Sequence, residues 1–476
     1  MAKTDTAQTI RRIKEEYADA YDTMTWLTPE TAAAASRLRE NLITDIFEHT
    51  GPGWRFARTK LFSHGISPGC DFCGNGDWSC LFINGICNAR CFYCPSTQDR
   101  KGLPMTSSLE FATPADYVDY VRAFGIRAVS FSGGEPFMTF DRVVQYLKTL
   151  RAKIAHPLNI WMYTNGILVT EDKLKTLRDH GLDEIRFDLS ADHYRLDALK
   201  KALGIIPCVT VEIPAIPEDL EKTRQVLEPL YDAGVNFLNL HQLRCTPYNL
   251  PRLIKRGYTF VHGPGVTVLE TELAALALIR HALANKIALP INYCSFAFRH
   301  QFQRAGALKR NALPVKSPYQ DITPTGHIRT LGITGEKPAI LAIHHHLLSQ
   351  AKDPALWQLA KTGDQLFFAA SLWPHIDFSA VILTAVYTAT SLKSSVSLRH
   401  SFKEISLNRK KKVVIEKYPA YPGIRLQGDG IAEFARRFVH PQAGSPADSV
   451  GNHPYDDLFA EIKGFERVNA GLANYF

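Results

Sequence analysis

Between about Ser79 and Cys294 short apolar runs alternate with helical stretches, and that alternation confines the segment to parallel strands joined by helical crossovers. The expected strands are CLFING, IRAVSFSG, LNIWMYTNG, LDEIRFDLS, IIPCVTVEIP, VNFLNLHQL and ALPINYC. The helices expected between them are Pro114 to Phe124, Phe140 to Ala155, Glu171 to His180, Arg195 to Leu203, Glu218 to Ala233 and Glu270 to Asn285. Parallel sheets of this kind carry their functional loops at the carboxyl ends of the strands. The cysteine loop, GGEP, TNG, FDLS, EIP and HQLRC are therefore expected on one rim.

The cysteines give that rim its chemistry. Cys87, Cys91 and Cys94 stand in GICNARCFYCP, and three thiolates are one too few to close an iron-sulfur cube, so one iron is left open for another ligand. Six of the nine cysteines fall between Cys70 and Cys94 and none follows Cys294, a distribution that fits metal-sulfur use in a reducing, cytoplasmic setting better than a disulfide scaffold. Upstream, Cys70 and Cys73 form a CxxC pair with Cys80 seven residues beyond. Such a pair bends around one metal or one cluster edge. An auxiliary 4Fe-4S cluster is expected there, with a free redox pair and a mononuclear zinc site as alternatives. Its fourth ligand is Cys294, at the end of the last strand, or Cys245, or an open position taken by substrate. Cys208 reads as a small buried hydrophobe.

The CxxxCxxC string with Tyr93 before its last cysteine, followed by GGEP, TNG and FDLS in that order over residues 80 to 295, resembles the radical SAM superfamily. The resemblance implies a partial (β/α)6 barrel. It also implies that an open iron on Cys87, Cys91 and Cys94 chelates S-adenosylmethionine (SAM), which one electron cleaves to methionine and a 5′-deoxyadenosyl radical. On the same resemblance Gly133, Gly134, Glu135 and Pro136 hold the methionine amino group, with Glu135 as a negative acceptor. Thr164 and Asn165 contact the methionine or ribose. Asp188 and Ser190 contact the ribose or carboxylate, although Asp188 equally reads as a helix cap. Val211, Ile213 and Tyr93 flank adenine.

The wider pattern GCDFCGNGDWSC, NLHQLRCTPYNLPRLIKRGY and INYCSFAFRHQFQRAG resembles a branch related to pyruvate formate-lyase activating enzymes, over residues 60 to 310. The chain departs from the small activases by its long tail and its upstream cysteines. The leading expectation is oxidation, or carbon-carbon or carbon-sulfur bond formation, on a small-molecule or peptide substrate, with the auxiliary cluster taking an electron. Activation of a partner protein is second, and no DxHxxG string supports cobalamin-dependent methylation. His241, Arg244, Tyr293 and Arg299 are the expected substrate contacts, the two arginines suiting a carboxylate or phosphate. A reducing partner such as flavodoxin or ferredoxin is implied.

The flanks complete the organisation: a helical extension over 1–60, the barrel over 61–315 and an appended α+β domain over 316–476, expected to cover the barrel mouth and supply substrate contacts. The extension holds helices Ala7 to Tyr17 and Pro29 to His49, the second capped by Thr28. In the last third HIRTLGI and PAILAIHHH read as a strand hairpin joined by TGEK. Asp353 to Leu359, Gly363 to Leu372 and Ser379 to Ser391 read as helices, with KKVVIEK and a helix around Tyr455 to Phe465 at the end. His344, His345 and His346 read as a solvated turn with at most one functional histidine. The start of the chain lacks a signal-type apolar core, and Ser379 to Ala389 is too short to cross a bilayer. The net charge of +8 gathers partly in Arg409 to Lys412 and Pro251 to Arg256; a solvated basic face is favoured over an RNA-binding one.

Overall fold

The computed structural model describes residues 3–350, 352–440 and 454–475; the outer ends of the first and last expected segments and residues 441–453 lie outside the described residues. No helix among the described residues is long and apolar enough to cross a membrane.

The barrel strands form where the apolar runs fall. They are β3 (Trp78–Ile86), β4 (Ala128–Gly133), β5 (Asn159–Thr164), β6 (Glu184–Phe187), β7 (Cys208–Pro214), β8 (Phe237–His241) and β9 (Ile291–Cys294), all parallel to their neighbours and in chain order across the sheet. Helices Pro114–Ala123, Phe140–Lys153, Glu171–Asp179, Asp197–Ala202, Leu220–Asp232 and Leu269–Ala284 lie in the six crossovers, giving six strand-helix units and a seventh strand among the described residues. This is the expected partial (β/α)6 barrel. Alternate residues divide the two faces. Val129, Phe131, Ile160, Met162, Ile185, Val211 and Ile213 join the apolar core, while Ser132, Tyr163, Arg186, Glu212 and His241 line a cavity inside the barrel.

Two features of the barrel were not expected. A hairpin, β1 (Pro52–Arg55) and β2 (Lys60–Ser63), extends the sheet antiparallel beyond β9, so that Lys60 pairs in register with Cys294. Between the hairpin and β3, helix α3 (Pro68–Asn75) is seated against the barrel; two helices precede it, α1 (Lys3–Tyr17) and α2 (Pro29–Phe47). Ser67 caps α3 by accepting from the Cys70 amide at 3.3 Å, and Pro68 occupies its first turn. A Cβ on Gly69 would fall 2.2 Å from Arg186 Nη2, so only glycine lets this turn reach the barrel's charged interior. Gly76 ends the helix at φ 80°, where a Cβ would fall 2.4 Å from Gly306 Cα. In the extension, Thr28 caps α2 as expected, through a reciprocal pair with Thr31, and α2 packs on Leu269–Ala284.

The last third is an α+β domain, but several of its elements differ from expectation. Its core is an antiparallel sheet of seven strands among the described residues. PAILAIHHH is a helix, Lys337–Ser349, because Ile340, Ile343 and Leu347 recur at helical spacing and are buried together. Val381–Lys393 is a strand rather than a helix: Val381, Leu383, Ala385, Tyr387 and Ala389 are buried in strict alternation. Trp357–Leu359 and Gln365–Phe368 are strands as well. KKVVIEK lies in the long strand Lys412–Leu426, and the final helix is Asp456–Glu466. Glu466 fixes that helix to the sheet, accepting from Arg329 at 3.0 Å and from the Tyr387 hydroxyl at 2.6 Å. His344 accepts from the Trp357 indole at 3.0 Å, while His345 and His346 are exposed, so the histidine run is solvated in part but lies on a helix rather than in a turn.

Replacing Gly76 with alanine adds a methyl where both the backbone angle and Gly306 oppose it. We expect a loss of about 1–3 kcal/mol, read as a lower urea midpoint with an unchanged slope. An unaltered midpoint would mean that α3 is not held at this contact.

A cysteine-lined cavity inside the barrel

The cavity enclosed by the barrel measures about 650 Å³ and carries cysteines at both ends. Cys87, Cys91 and Cys94 lie in the loop after β3, and Cys70, Cys73, Cys80 and Cys294 line the same space from α3, β3 and β9.

The loop end is strapped together by backbone and amide groups. Asn84, near the end of β3, donates to the Glu135 carbonyl at 2.9 Å and to Thr139 Oγ1 at 2.7 Å, while its own carbonyl accepts from the Gly134 amide at 3.1 Å. Glu135 N donates to Ile86 O at 2.7 Å. A Cβ on Gly134 would stand 1.9 Å from that oxygen, which explains the second glycine of GGEP. Glu135 is buried, and its carboxylate accepts from Thr164 Oγ1 at 2.9 Å, the Asn165 amide at 2.7 Å and the Phe137 amide at 3.0 Å. Burial pushes its carboxyl up to about 7 against the pull of those donors. Three of about four lone-pair sites are thereby taken within the chain, so Glu135 first of all pins TNG to GGEP.

Asn165 Nδ2 donates to Asn88 Oδ1 at 2.7 Å and lies 3.7 Å from Cys87 Sγ, which also accepts from the Ala89 amide at 3.4 Å. Tyr93 donates its hydroxyl to Asp188 Oδ2 at 2.8 Å and lies 2.7 Å from Ser190 Oγ. Asp188 caps the short 3-10 turn Leu189–Asp192 by accepting from the Ser190 amide, and it also lines the cavity.

A clamp on this loop escaped the sequence reading. Arg252 donates to the carbonyls of Cys91 and Cys94 at 3.4 and 3.3 Å, Asn249 to the Tyr93 carbonyl at 3.0 Å, and Thr246 to the Pro95 carbonyl at 2.9 Å. The Arg256 guanidinium lies 3.5 Å from the centroid of the Phe92 ring. PRLIKR, which looked like a surface charge cluster, therefore holds the cysteine loop from more than 150 residues away. A pairing at that separation leaves no local signal.

The lower end is charged and buried. Arg186 donates to Glu184 at 2.9 Å, to Glu212 at 2.6 Å and to Ser67 at 3.0 Å, with its guanidinium over the Trp161 ring. Lys60 is fully buried, and its ammonium has no hydrogen-bond partner. Burial pushes the Cys294 thiol up, but Lys60 and His241 outweigh it and bring the thiol down to about 6. Burial and the neighbouring Cys294 and Cys70 push Cys73 upward, and burial takes Cys80 up to about 11. Among the described residues, no three His, Cys, Asp or Glu side chains are gathered for a single ion, whose donors would converge within about 2.0–2.3 Å of one point.

His241, Arg244 and Arg299 line the cavity, whereas other expected contacts do not. Tyr293 points to the helix side and donates to Glu272 at 2.8 Å. Val211 and Ile213 are turned into the core by strand parity, leaving Glu212 and Pro214 on the cavity. Cys245 is buried beneath α1, where Tyr17 donates to its carbonyl at 3.0 Å, so it stands away from the other thiols. No residue after Arg310 lines the cavity among the described residues, so the appended domain does not supply the contacts expected of it.

The radical SAM superfamily model matches residues 81–205. A Methanocaldococcus jannaschii protein, named provisionally as a glycyl-radical enzyme activating enzyme, is 30% identical over 273 residues, 55% of this chain and 72% of that one. A Methanococcus maripaludis protein, named provisionally as a GTP 3′,8-cyclase, is 31% identical over 190 residues; the match takes in 37% of this chain and 52% of that relative's length. The solved structure of HydG, a maturase of the FeFe hydrogenase, aligns with a TM-score of 0.32 and 14% identity over 60% of this chain and 65% of its own.

The donor set fits the family's group: three half-buried thiols of one loop face a cavity large enough for a cube and a cosubstrate. Truncating Glu135 to alanine would strand three buried donors. We expect about 1–3 kcal/mol of destabilisation and a loss of SAM retention, measured by urea melts and equilibrium dialysis; unchanged values in both would exclude the pinning role. Shared sequence over most of the Methanocaldococcus relative, together with the matching family model, establishes that this enzyme belongs to the radical SAM superfamily.

Proposed function

We propose that this enzyme oxidises, or forms a carbon-carbon or carbon-sulfur bond in, a small-molecule or peptide substrate held inside the barrel between two iron-sulfur centres. When bound, a 4Fe-4S cluster on Cys87, Cys91 and Cys94 with SAM supplies a 5′-deoxyadenosyl radical for hydrogen abstraction, and an auxiliary cluster on Cys70, Cys73 and Cys294 supplies a sink for the electron that the substrate radical gives up. One observation carries the reading: both cysteine groups open onto a single cavity.

The chain's own groups prepare that space. GGEP and TNG, locked by Glu135 and Asn84, present backbone and amide groups beside Cys87. Tyr93, Asp188 and Ser190 form a hydroxyl-carboxylate edge suited to a ribose or an ammonium. Arg244 and Arg299 offer cations to a substrate carboxylate or phosphate. Trp78, Phe82, Trp161 and Phe298 keep the walls apolar and limit water. Cys80 lines the space between the two centres as a further thiol. A donor of the flavodoxin or ferredoxin type would deliver the electron that starts each turnover.

Activation of a partner protein is the second reading, favoured by the name of the Methanocaldococcus relative. RNA modification is less favoured because part of each basic cluster is engaged within the chain: Lys411 donates to the Glu110 carbonyl, Lys412 pairs with Glu404 at 2.9 Å, and Arg252 and Arg256 hold the cysteine loop.

Anaerobically reconstituted protein given SAM and a strong reductant should release 5′-deoxyadenosine and methionine. The C87A/C91A/C94A variant should make neither, yet keep about four irons per chain. Absence of product from the wild type would overturn the radical reading; a variant stripped of all iron would overturn the auxiliary cluster.

A further inference from the structure

The sequence reading puts the second centre on Cys70, Cys73 and Cys80, with Cys294 or Cys245 as the fourth ligand, whereas the structure sets Cys294 beside Cys70 and Cys73. We propose instead that its fourth ligand is His241, bound through Nδ1, with Glu212 as the carboxylate that fixes the ring. This rests on the reading of Cys70, Cys73 and Cys294 as an auxiliary cluster.

Register puts the ring in place. His241 ends β8 directly beside Cys294 at the end of β9, and Cys294 pairs in turn with Lys60 on β2, so three inward side chains stand in one row. Neighbouring residues in register project to the same face of a sheet. Cys70 and Cys73 of α3 close the row from below, near enough that both act electrostatically on Lys60 and Cys70 acts on Cys73.

The ring's protonation is set from behind. Nε2 lies 2.6 Å from Glu212 Oε1, and the other oxygen of Glu212 accepts from Arg186 at 2.6 Å and from Asn239 at 2.9 Å. A carboxylate ringed by donors acts as an acceptor, so the imidazole proton sits on Nε2 and donates to it. Nδ1 then carries the lone pair. That atom is buried without a hydrogen bond of normal geometry, beside the Cys294 thiol that acts on the ring, an arrangement that ligation of one iron centre by both groups would satisfy. A histidine whose far nitrogen donates to a carboxylate while its near nitrogen is free is the usual form of a metal-ligating ring.

Cys80 is placed differently. It stands on β3, in register with Ser130 of β4, and its thiol is engaged by the hydroxyls of Ser130 and Ser132. Cys73, by contrast, has Cys294 and Cys70 as its charged neighbours.

Charge balance points the same way. Positive charge reaches the thiols from Lys60, whose ammonium has no hydrogen-bond partner, from Arg299 beside Cys294, and from Arg186, which is already bound to Glu184 and Glu212. A neutral imidazole in place of a fourth thiolate lowers the buried negative charge by one unit and with it the cost of desolvation. Ligation requires the three thiols to lose their protons and the ring to bind in its Nε2-protonated form.

The test uses the C87A/C91A/C94A protein, in which only the second centre can carry iron. Reduced and examined by pulsed EPR, it should show a nitrogen hyperfine coupling that changes when the protein is made with 15N-histidine, an observation that needs no substitution at the site. C80A added to this background should retain the iron and the coupling. H241C should retain iron, lose the coupling and shift the centre to a more negative potential, as thiolate in place of imidazole does. An iron centre blind to 15N-histidine, or one lost in C80A, overturns the histidine and leaves the auxiliary cluster standing. A background protein with no iron overturns both.

Discussion

A single buried guanidinium organises the interior of this barrel. Arg186 stands on β6 with almost no exposure and reaches Glu184 on its own strand, Glu212 on β7 and Ser67 at the cap of α3. Each contact settles something else. Ser67 sets where α3 begins, and hence where Cys70 and Cys73 face; Glu212 reaches on to His241, and hence to the end of β8. Gly69 must be glycine because the guanidinium occupies the space of a side chain. A buried charge left without its partners costs on the order of 3–5 kcal/mol, so the acids, the cap and the arginine hold together or fail together.

The loop end of the cavity follows a different rule, in which backbone amides do most of the holding. Asn84 ties β3 to GGEP, Glu135 ties GGEP to TNG, and Asn165 ties TNG to the Cys87 turn. The polar side chains of GGEP and TNG are already engaged in fixing the loops. The site thereby exists as a shape before any cosubstrate enters, which lowers the entropy lost on binding. Arg252 and Asn249 add an outer brace from the far side of the chain.

The barrel was readable because each of its strands is an apolar run bounded by polar or glycine residues, and the cysteine spacing is local enough to survive without a structure. Parity is legible in the run VTVEIP, where Val209, Val211 and Ile213 alternate with Thr210, Glu212 and Pro214, and the structure turns Glu212 and Pro214 inward while Val211 and Ile213 face the helices. SAVILTAVYTA has no such marker, because its small and β-branched residues fit either period until burial reveals alternation. The hairpin before α3 was missed because PGWR and KLFS are each four residues long, too short to show a period. The Arg252 clamp and the Lys60–Cys294 pairing depend on contacts across 150 residues or more, which no local pattern encodes.

The appended domain stands off from the chemistry, yet it is not detached from it. Its strand Val381–Lys393 packs on the helix Ala305–Ala312, with Thr390 donating to the Leu308 carbonyl at 3.4 Å. That helix continues directly from the π-helical turn Arg299–Arg304, which places Arg299 and Gln303 on the cavity, and its Arg310 donates to the carbonyls of Gly76 and Trp78. One continuous segment thus touches the cavity wall, the end of α3, the start of β3 and the far domain. The far domain therefore meets the cavity wall only indirectly, through this segment, since no residue after Arg310 lines the cavity among the described residues.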